Sequence, residues 1–185
     1  QDEPRLTDTF KELHAHPELG FQEVQTAALV AAEFRRHGYE THTGIGKTGV
    51  VGIMKNGRGL IVMFRSDMDA LPVLEETGLP YASRATGASA TGGLVPVMHA
   101  CGHDAHVVFL IAVAKIIAEL KAEWSGTLVL IAQPAEELIE GARAMVQDGL
   151  YNKAPAPNFL IASHVTPMHA AGAASVKAGR RNAGT

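Results

Sequence analysis

Residues 104–132, DAHVVFLIAVAKIIAELKAEWSGTLVLIA, give the clearest indication of the fold class. Residues 104–121 have the apolar spacing of a helix, and residues 127–132 are an uninterrupted apolar run, typical of a strand that is covered on both faces. A further helix is predicted at residues 140–147, closed by Gly149. Strands that alternate with helices predict an α/β fold with a central, mostly parallel or mixed sheet flanked by helices.

Shorter patterns lie on both sides of this region. They predict helices at residues 6–14 and from about 22 to 38, and strands at 50–54, 60–64, 158–162 and 173–177. Asn56-Gly57 predicts a hairpin that joins the strands at 50–54 and 60–64. Residues 67–100 are rich in Gly, Pro, Ser and Thr and predict a long loop, which inside a compact domain is usually functional.

Composition and charge narrow the range of partners. The chain has 185 residues, 16 Lys and Arg against 19 Asp and Glu, and no basic face, so a nucleic acid is not an expected partner. The longest apolar stretch, residues 107–120, is too short to span a bilayer, so no membrane partner is expected either. Cys101 is the single cysteine and cannot form an internal disulfide, which leaves the compartment open between cytoplasm and periplasm or secretion. Because Gln1 is not an initiator Met, we expect that a preceding segment has been removed.

One motif has the form of a nucleotide-binding loop. Residues 44–49, GIGKTG, satisfy G-x-G-x-x-G, and Lys47-Thr48 is similar to a phosphate-binding loop. Both mechanisms need a helix N-terminus directly afterwards, whereas residues 50–53, VVGI, predict a strand. The motif therefore predicts a Gly-rich turn between strands.

Side chains of metal-ligating types gather next to the predicted strand ends and helix starts. They occur in RSDMDALP (65–72), HACGHD (99–104), QPAEE (133–137) and Ser163-His164. Ligands of α/β sheets collect at the carboxyl ends of the strands. Thiolate, imidazole and carboxylate together suit divalent ions such as Zn²⁺, Mn²⁺, Co²⁺ or Ni²⁺. The sequence thus predicts a metal site at this edge.

The spacing within these groups indicates which residues could bind metal and which could transfer a proton. Cys101 and His103 are two apart at a helix start and can converge on one site, where a cation and the helix dipole would both favour a thiolate. In an extended segment the adjacent Glu136 and Glu137 point in different directions, so one can bind metal while the other faces a water as general base. Taken alone, each group has a structural explanation, such as a buried cysteine or acidic residues at a helix start.

The remaining histidines are predicted to be surface or structural residues. They are His14, His16, His37, His42, His106 and His169, and His99 is next to the site without an assigned role.

The motifs resemble the M20 metallopeptidase family, in particular its amidohydrolase branch of hippurate hydrolases, N-acyl-amino-acid amidohydrolases and auxin-conjugate hydrolases. The matching stretches are HAHPELGF (14–21), DMDALP (67–72), HACGHD (99–104), QPAEE (133–137) and GARAM (141–145), in family order. The resemblance implies a zinc-peptidase-like catalytic domain over residues 1–178. It also implies that residues 179–185 begin a truncated linker toward a missing lid and dimerisation domain.

The resemblance further implies a site for two divalent ions, Zn, Mn, Co or Ni, that hydrolyses the amide bond of an N-acyl amino acid or small peptide. The implied metal ligands are Cys101, His103, Glu137 and His164, and the implied catalytic residues are Glu136, as general base, and Asp69, which orients the site. Asp67 occupies the place of a His ligand of other branches and is not counted as a ligand.

The family's remaining half would supply one more His ligand, a His that stabilises the oxyanion, and the contacts of a homodimer. The 185 residues alone are therefore expected to bind metal weakly and to turn over little. Two other hypotheses stay open. Cys101 could be a nucleophile with His103 or His164 as its base, or the domain could bind an acylated amino acid or a partner without catalysis.

Overall fold

The computed structural model of the chain describes residues 3–176 and 178. The helices are α1 (Glu3–Ala15), α2 (Val24–Arg36), α3 (His103–Glu119), α4 (Gly141–Gln147) and α5 (Leu150–Lys153), with a 3₁₀ turn at Lys121–Glu123. The strands are β1 (Glu40–Ile45), β2 (Gly49–Asn56), β3 (Ile61–Asp67), β4 (Thr86–Ala88), β5 (Leu94–Pro96), β6 (Gly126–Gln133) and β7 (Phe159–Ala162). Among these described helices, none is long and apolar enough to cross a membrane.

Five strands form one mixed sheet in the order β1-β2-β6-β3-β7. The pairs β1/β2 and β2/β6 are antiparallel, whereas β6/β3 and β3/β7 are parallel. β4 and β5 form a separate two-stranded ribbon inside the long loop predicted at residues 67–100. The prediction of an α/β fold with a mixed sheet flanked by helices is confirmed.

The central strand β6 is buried on both faces. Leu128, Leu130 and Ala132 point to the layer that α1, α2 and α3 form, and Val129 and Ile131 point to the layer of α4 and α5. A strand covered on both sides needs apolar residues at every position rather than at alternate ones. That need explains the continuous apolar run in the sequence.

A glycine lets α2 lie close to the sheet. The ring of Phe34 in α2 is fully buried, and a Cβ atom on Gly52 of β2 would lie 2.6 Å from its Cδ2 atom. Gly52 is therefore a contact surface for the ring, and this contact fixes the distance between helix and strand.

The predicted hairpin at Asn56-Gly57 is wrong, because β6 lies between β2 and β3. Asn56 pairs with Gly126 at the start of β6, and its side-chain amide donates to the carbonyl oxygens of Lys121 and Trp124 (2.7 and 2.5 Å). Asn56 thus holds the segment that leads into β6. β6 has apolar side chains on both faces, and its place between β2 and β3 lets both helical layers cover them.

The predicted strand at residues 173–177 is also wrong over the part that the structure describes, since residues 173–176 have no strand. These residues are exposed and have no neighbouring strand to pair with among the described residues. Lys177 and the predicted linker at 179–185 lie outside the described residues.

The GIGKTG motif is the turn of the β1–β2 hairpin. β1 ends at Ile45, β2 begins at Gly49, and the two strands are antiparallel. A strand follows directly, so this turn lacks the helix N-terminus that a phosphate-binding loop of this form needs. The prediction of a Gly-rich turn is confirmed.

Candidate metal centre

Three parallel strands end at the same edge of the sheet. In the register, Asp67 at the end of β3 lies beside Gln133 at the end of β6, and Arg65 lies beside Ala162 at the end of β7. The residues after these strands and the start of α3 therefore meet at this edge, as the sequence predicted.

A cluster of polar side chains lies at this edge: Asp67, Asp69, Cys101, His103, Glu136, Glu137 and His164. His103, the first residue of α3, is at its centre and is fully buried. Its Nε2 atom lies 3.7 Å from Asp67 Oδ1, 3.8 Å from Glu136 Oε2 and 3.7 Å from Glu137 Oε1. Its Nδ1 atom lies 3.3 Å from Asp69 Oδ1. Burial alone would lower the pKa of His103, but the contact with Asp69 and the surrounding carboxylate charges outweigh it and raise that pKa.

Cys101 and His164 complete one side of the cluster. Cys101 Sγ lies 3.5 Å from His164 Nε2, and ligand atoms of Cys101, His103 and His164 all lie within 4.8 Å of one another. Gly102 has a left-handed backbone (φ +79°), which turns its two neighbours to the same side. The predicted convergence of Cys101 and His103 is confirmed.

Without a cation, the groups around Cys101 oppose the ionisation of its thiol. Burial first, and then the charges of Glu137, Glu136 and Asp67, raise its pKa to about 12. A thiolate here requires a cation that offsets the carboxylates.

Glu136 and Glu137 lie in a turn, so the predicted extended segment is wrong. Ala135 has a φ of +45°, and the chain folds back so that both carboxylates face His103. Burial, followed by the charge of Asp67, raises the pKa of Glu136. A carboxylate with a raised pKa beside a reacting water suits proton transfer near neutral pH.

Asp69 connects this turn to α3. Its buried Oδ2 atom accepts the backbone N–H of Glu137 at 2.9 Å, while its Oδ1 atom is the oxygen next to His103 Nδ1. One carboxylate thus holds the backbone of one predicted ligand and lies beside the ring of another. The orienting role of Asp69 stays a prediction.

His106 is a member of the cluster that the sequence left among the structural histidines. It is fully buried, its Nδ1 atom lies 2.6 Å from Asp67 Oδ1, and its Nε2 atom accepts the backbone N–H of Val165 at 2.8 Å. An accepting Nε2 means that the proton is on Nδ1, where it is donated to Asp67. The spacing of three residues after His103, which places both rings on one helix face, is the signal that could have found it.

Asp67 is held by this histidine and by Arg65, whose Nη1 atom donates to Asp67 Oδ2 at 2.7 Å. Burial alone would raise the pKa of Asp67, but the hydrogen bond from His106 and the charge of Arg65 outweigh it and lower the pKa to about 2. Both oxygens of Asp67 are thus engaged by protein groups. Its ligand atoms and those of His103 and His106 also lie within 4.8 Å of one another, so the exclusion of Asp67 from the ligands stays a prediction.

Another of the histidines predicted to be structural connects the start of α3 to the long loop. His14 is buried, and its ring nitrogens bond to Asp104 (2.6 Å) and Glu75 (3.0 Å). His99 is buried as well, and burial lowers its pKa to about 4.

The donor set fits a divalent ion. His103 Nε2 and Glu137 Oε1 are buried and form no hydrogen bond within the described residues, although each faces groups that could share a cation. Buried polar atoms left in this way are costly unless a cation lies between them. Three overlapping triplets share the imidazole of His103: Cys101–His103–His164, His103–Glu136–Glu137 and Asp67–His103–His106. The four predicted ligands lie within the first two triplets.

Comparisons with known proteins show what the chain is similar to. A sequence model of Peptidase family M20/M25/M40 matches residues 63–179. The hippurate hydrolase of Campylobacter jejuni is 47% identical over 143 residues, which are 77% of this chain and 34% of that protein. The N-acetylcysteine deacetylase of Bacillus subtilis is 37% identical over 177 residues, which are 95% of this chain and 43% of that protein. The chain thus spans well under half the length of these relatives.

A solved structure from Bacillus subtilis, described as a dinuclear metal binding peptidase from the M20 family, superposes with a TM-score of 0.76 at 35% identity. The match covers 89% of this chain and 43% of that chain.

Proposed function

Because the chain belongs to the M20/M25/M40 peptidase family, we propose that it forms part of a metal-dependent hydrolase that cleaves the amide bond of N-acyl amino acids or small peptides. The observation that carries the proposal is the position of His103 Nε2, which faces two glutamates and lies beside a thiol and a second imidazole. The names of the relatives, a hippurate hydrolase and an N-acetylcysteine deacetylase, support amide substrates of this class.

Cys101, His103, Glu137 and His164 are the proposed ligands. The set combines a soft thiolate with imidazole and carboxylate, which suits Zn²⁺, Mn²⁺, Co²⁺ or Ni²⁺, and a relative described as dinuclear supports two ions. When bound, the ions would supply the positive charge that polarises the amide carbonyl and makes a water more acidic.

Glu136 is the proposed general base. Its side chain is 39% exposed, so it faces the open side of the site, and its raised pKa keeps it basic enough to take a proton from the attacking water. The water oxygen bonds to the carbonyl carbon, the C–N bond breaks, and Glu136 returns the proton to the leaving nitrogen. Asp69 holds His103 and the backbone of Glu137 throughout.

The alternative of a thiol nucleophile has less support. A thiol with a pKa of about 12 is protonated at neutral pH, and Cys101 faces carboxylates that oppose its ionisation. A domain that only binds its ligand has no use for a carboxylate aimed at a reacting water. In the longer protein, Glu136→Gln should retain metal and abolish hydrolysis, whereas a binding domain would keep its ligand affinity unchanged.

The first test is the metal content of the 185-residue chain. After reconstitution with Zn²⁺ or Mn²⁺ and desalting, mass spectrometry should find one or two ions per chain, and Cys101→Ser should lose them. Absence of bound metal at every ratio would contradict the ligand assignment. Hydrolysis by the 185 residues alone is expected to be slight, and substantial turnover would contradict that expectation.

A further inference from the structure

The segment between α1 and α2 contains a buried carboxylate that the proposed metal chemistry does not use. Glu23 directly precedes α2, and its side chain is 0% exposed. Its oxygens accept hydrogen bonds from the backbone amide of Ala135 (2.7 Å) and from the hydroxyl of Thr48 (2.5 Å). Burial raises the pKa of Glu23, and these two hydrogen bonds oppose the rise. A carboxylate in such a place is retained only where its bonds offset the cost of burial.

The bond to Ala135 holds a backbone conformation that an alanine seldom adopts. Ala135 has a φ of +45° and is fully buried, and its carbonyl oxygen accepts the amide of Gly141 at 3.1 Å. A left-handed backbone is unfavourable for a residue other than glycine. Gly20 lies so close that a Cβ atom there would be 3.1 Å from Ala135 Cα. Ala135 is therefore held at both of its peptide groups, directly before Glu136.

The bond to Thr48 connects the same carboxylate to the β1–β2 turn. That turn is itself fixed, because the amide of Gly46 donates to Asp148 Oδ2 at 2.8 Å and a Cβ atom on Gly46 would lie 2.6 Å from the nitrogen of Met145. The GIGKTG motif, which matches a nucleotide-binding pattern, thus serves as a rigid support for Glu23.

We propose that Glu23 is a positioning residue: it fixes the backbone at Ala135 and so aims Glu136 and Glu137 at His103. The consequence for metal binding rests on the proposed function, whereas the anchoring of the turn does not. Residues that support metal ligands typically change metal affinity 10–100-fold when they are lost. Loss of the Glu23 side chain should therefore weaken the binding of a divalent ion.

The matched control is Glu18, a glutamate of the same segment. Its side chain accepts the backbone amides of Gln25 (3.0 Å) and Thr26 (2.8 Å) and so caps α2. Glu18→Ala should cost stability through the lost cap, as a merely structural role for Glu23 would. A difference in amide exchange or metal affinity between Glu23→Ala and Glu18→Ala therefore reports the effect of Glu23 on the turn at residues 134–140.

The first measurement is hydrogen exchange of the backbone amides at residues 135–141 in the chain treated with a chelator. In Glu23→Ala these amides should exchange at least tenfold faster than in Glu18→Ala. In Glu23→Gln they should stay within about threefold of the unsubstituted chain, because the amide oxygen of Gln can still accept the Ala135 N–H.

The second measurement is a titration with Co²⁺ followed by visible and near-ultraviolet absorption. Glu23→Ala should raise the Kd for Co²⁺ at least tenfold and change the visible bands that report geometry, while the thiolate band from Cys101 persists. Glu18→Ala and Glu23→Gln should keep the Kd and the visible spectrum of the unsubstituted chain.

Equal exchange in Glu23→Ala and Glu18→Ala would overturn the anchoring, and an unchanged Co²⁺ spectrum and Kd in Glu23→Ala would overturn the positioning role. If the unsubstituted chain binds no Co²⁺, the proposed function fails, and the exchange data still decide whether Glu23 anchors the turn. Should Glu23→Ala not fold, Thr48→Val removes the side-chain partner of Glu23 and should give a smaller rise in exchange at the same amides.

Discussion

Replacing Asp69 by asparagine tests the chemistry of the site most directly, because it removes a charge without changing the shape of the side chain. Asp69 accepts the N–H of Glu137 through one oxygen at 2.9 Å and lies 3.3 Å from His103 Nδ1 through the other. An asparagine has one oxygen and one NH₂ group, so it can accept from only one of these two N–H groups.

Either orientation of the asparagine damages the site. If its oxygen accepts from Glu137, its NH₂ group faces His103 Nδ1, and the proton of the ring moves to Nε2, the atom that faces the glutamates. If the oxygen accepts from His103, the NH₂ group of the asparagine faces the backbone N–H of Glu137, and that N–H loses its acceptor. One lost hydrogen bond to a charged group is worth about 1.5–3 kcal/mol. We expect metal affinity to fall about 10–100-fold, or roughly 1.4–2.7 kcal/mol.

Calorimetric titration of Zn²⁺ into the chelator-treated chain measures this loss. Asp69→Ala is the informative control, because alanine removes both contacts, whereas asparagine keeps one of them. The alanine variant should therefore bind metal at least as weakly as Asp69→Asn. The reasoning would be refuted if either variant bound Zn²⁺ with the affinity of the unsubstituted chain.

Three further predictions concern stability and reactivity in the absence of metal. The pKa of Asp67 falls from an ordinary 3.8 to about 2 on folding, so its ionised form contributes about 2 kcal/mol above pH 4. That stability is lost as the pH falls toward 2, and denaturant titrations across this range should show a correspondingly flatter pH dependence in Asp67→Asn. Cys101, with a pKa of about 12, should react with iodoacetamide at pH 8 at least tenfold more slowly than a free cysteine, and an equal rate would contradict the raised pKa. Gly52→Ala places a methyl group 2.6 Å from the ring of Phe34 and should cost about 1–3 kcal/mol in urea unfolding. Phe34→Leu in the same chain should recover part of that cost if the clash is its cause.

The fold class follows from local patterns, whereas the order of the strands does not. The apolar run of β6 predicts a strand buried on both faces, and α3 is predicted to within two residues at each end. The hairpin at Asn56-Gly57 fails because a turn signal describes four residues only. The insertion of β6 between β2 and β3 depends on surface that the folded chain buries far along the sequence.

The sequence predicts those parts of the site that lie next to the carboxyl ends of strands. Cys101, His103 and His164 converge as expected, because parallel strands bring their carboxyl ends to one edge. The direction of Glu136 was not predictable, because it depends on the left-handed backbone at Ala135. Glu23, more than one hundred residues earlier in the chain, holds that backbone and has no local signature of its role.

The strand that brings His164 to the site is also the least protected strand of the sheet. β7 is at the sheet's end, and within the described residues its outer edge has no partner. Phe159, Leu160 and Ile161 are each more than half exposed. An edge with free backbone groups and apolar side chains on both faces adheres to the same edge of another molecule. Concentrated solutions of this chain are therefore expected to aggregate through β7. Leu160→Lys should raise the solubility of the chain more than a lysine placed on any covered strand.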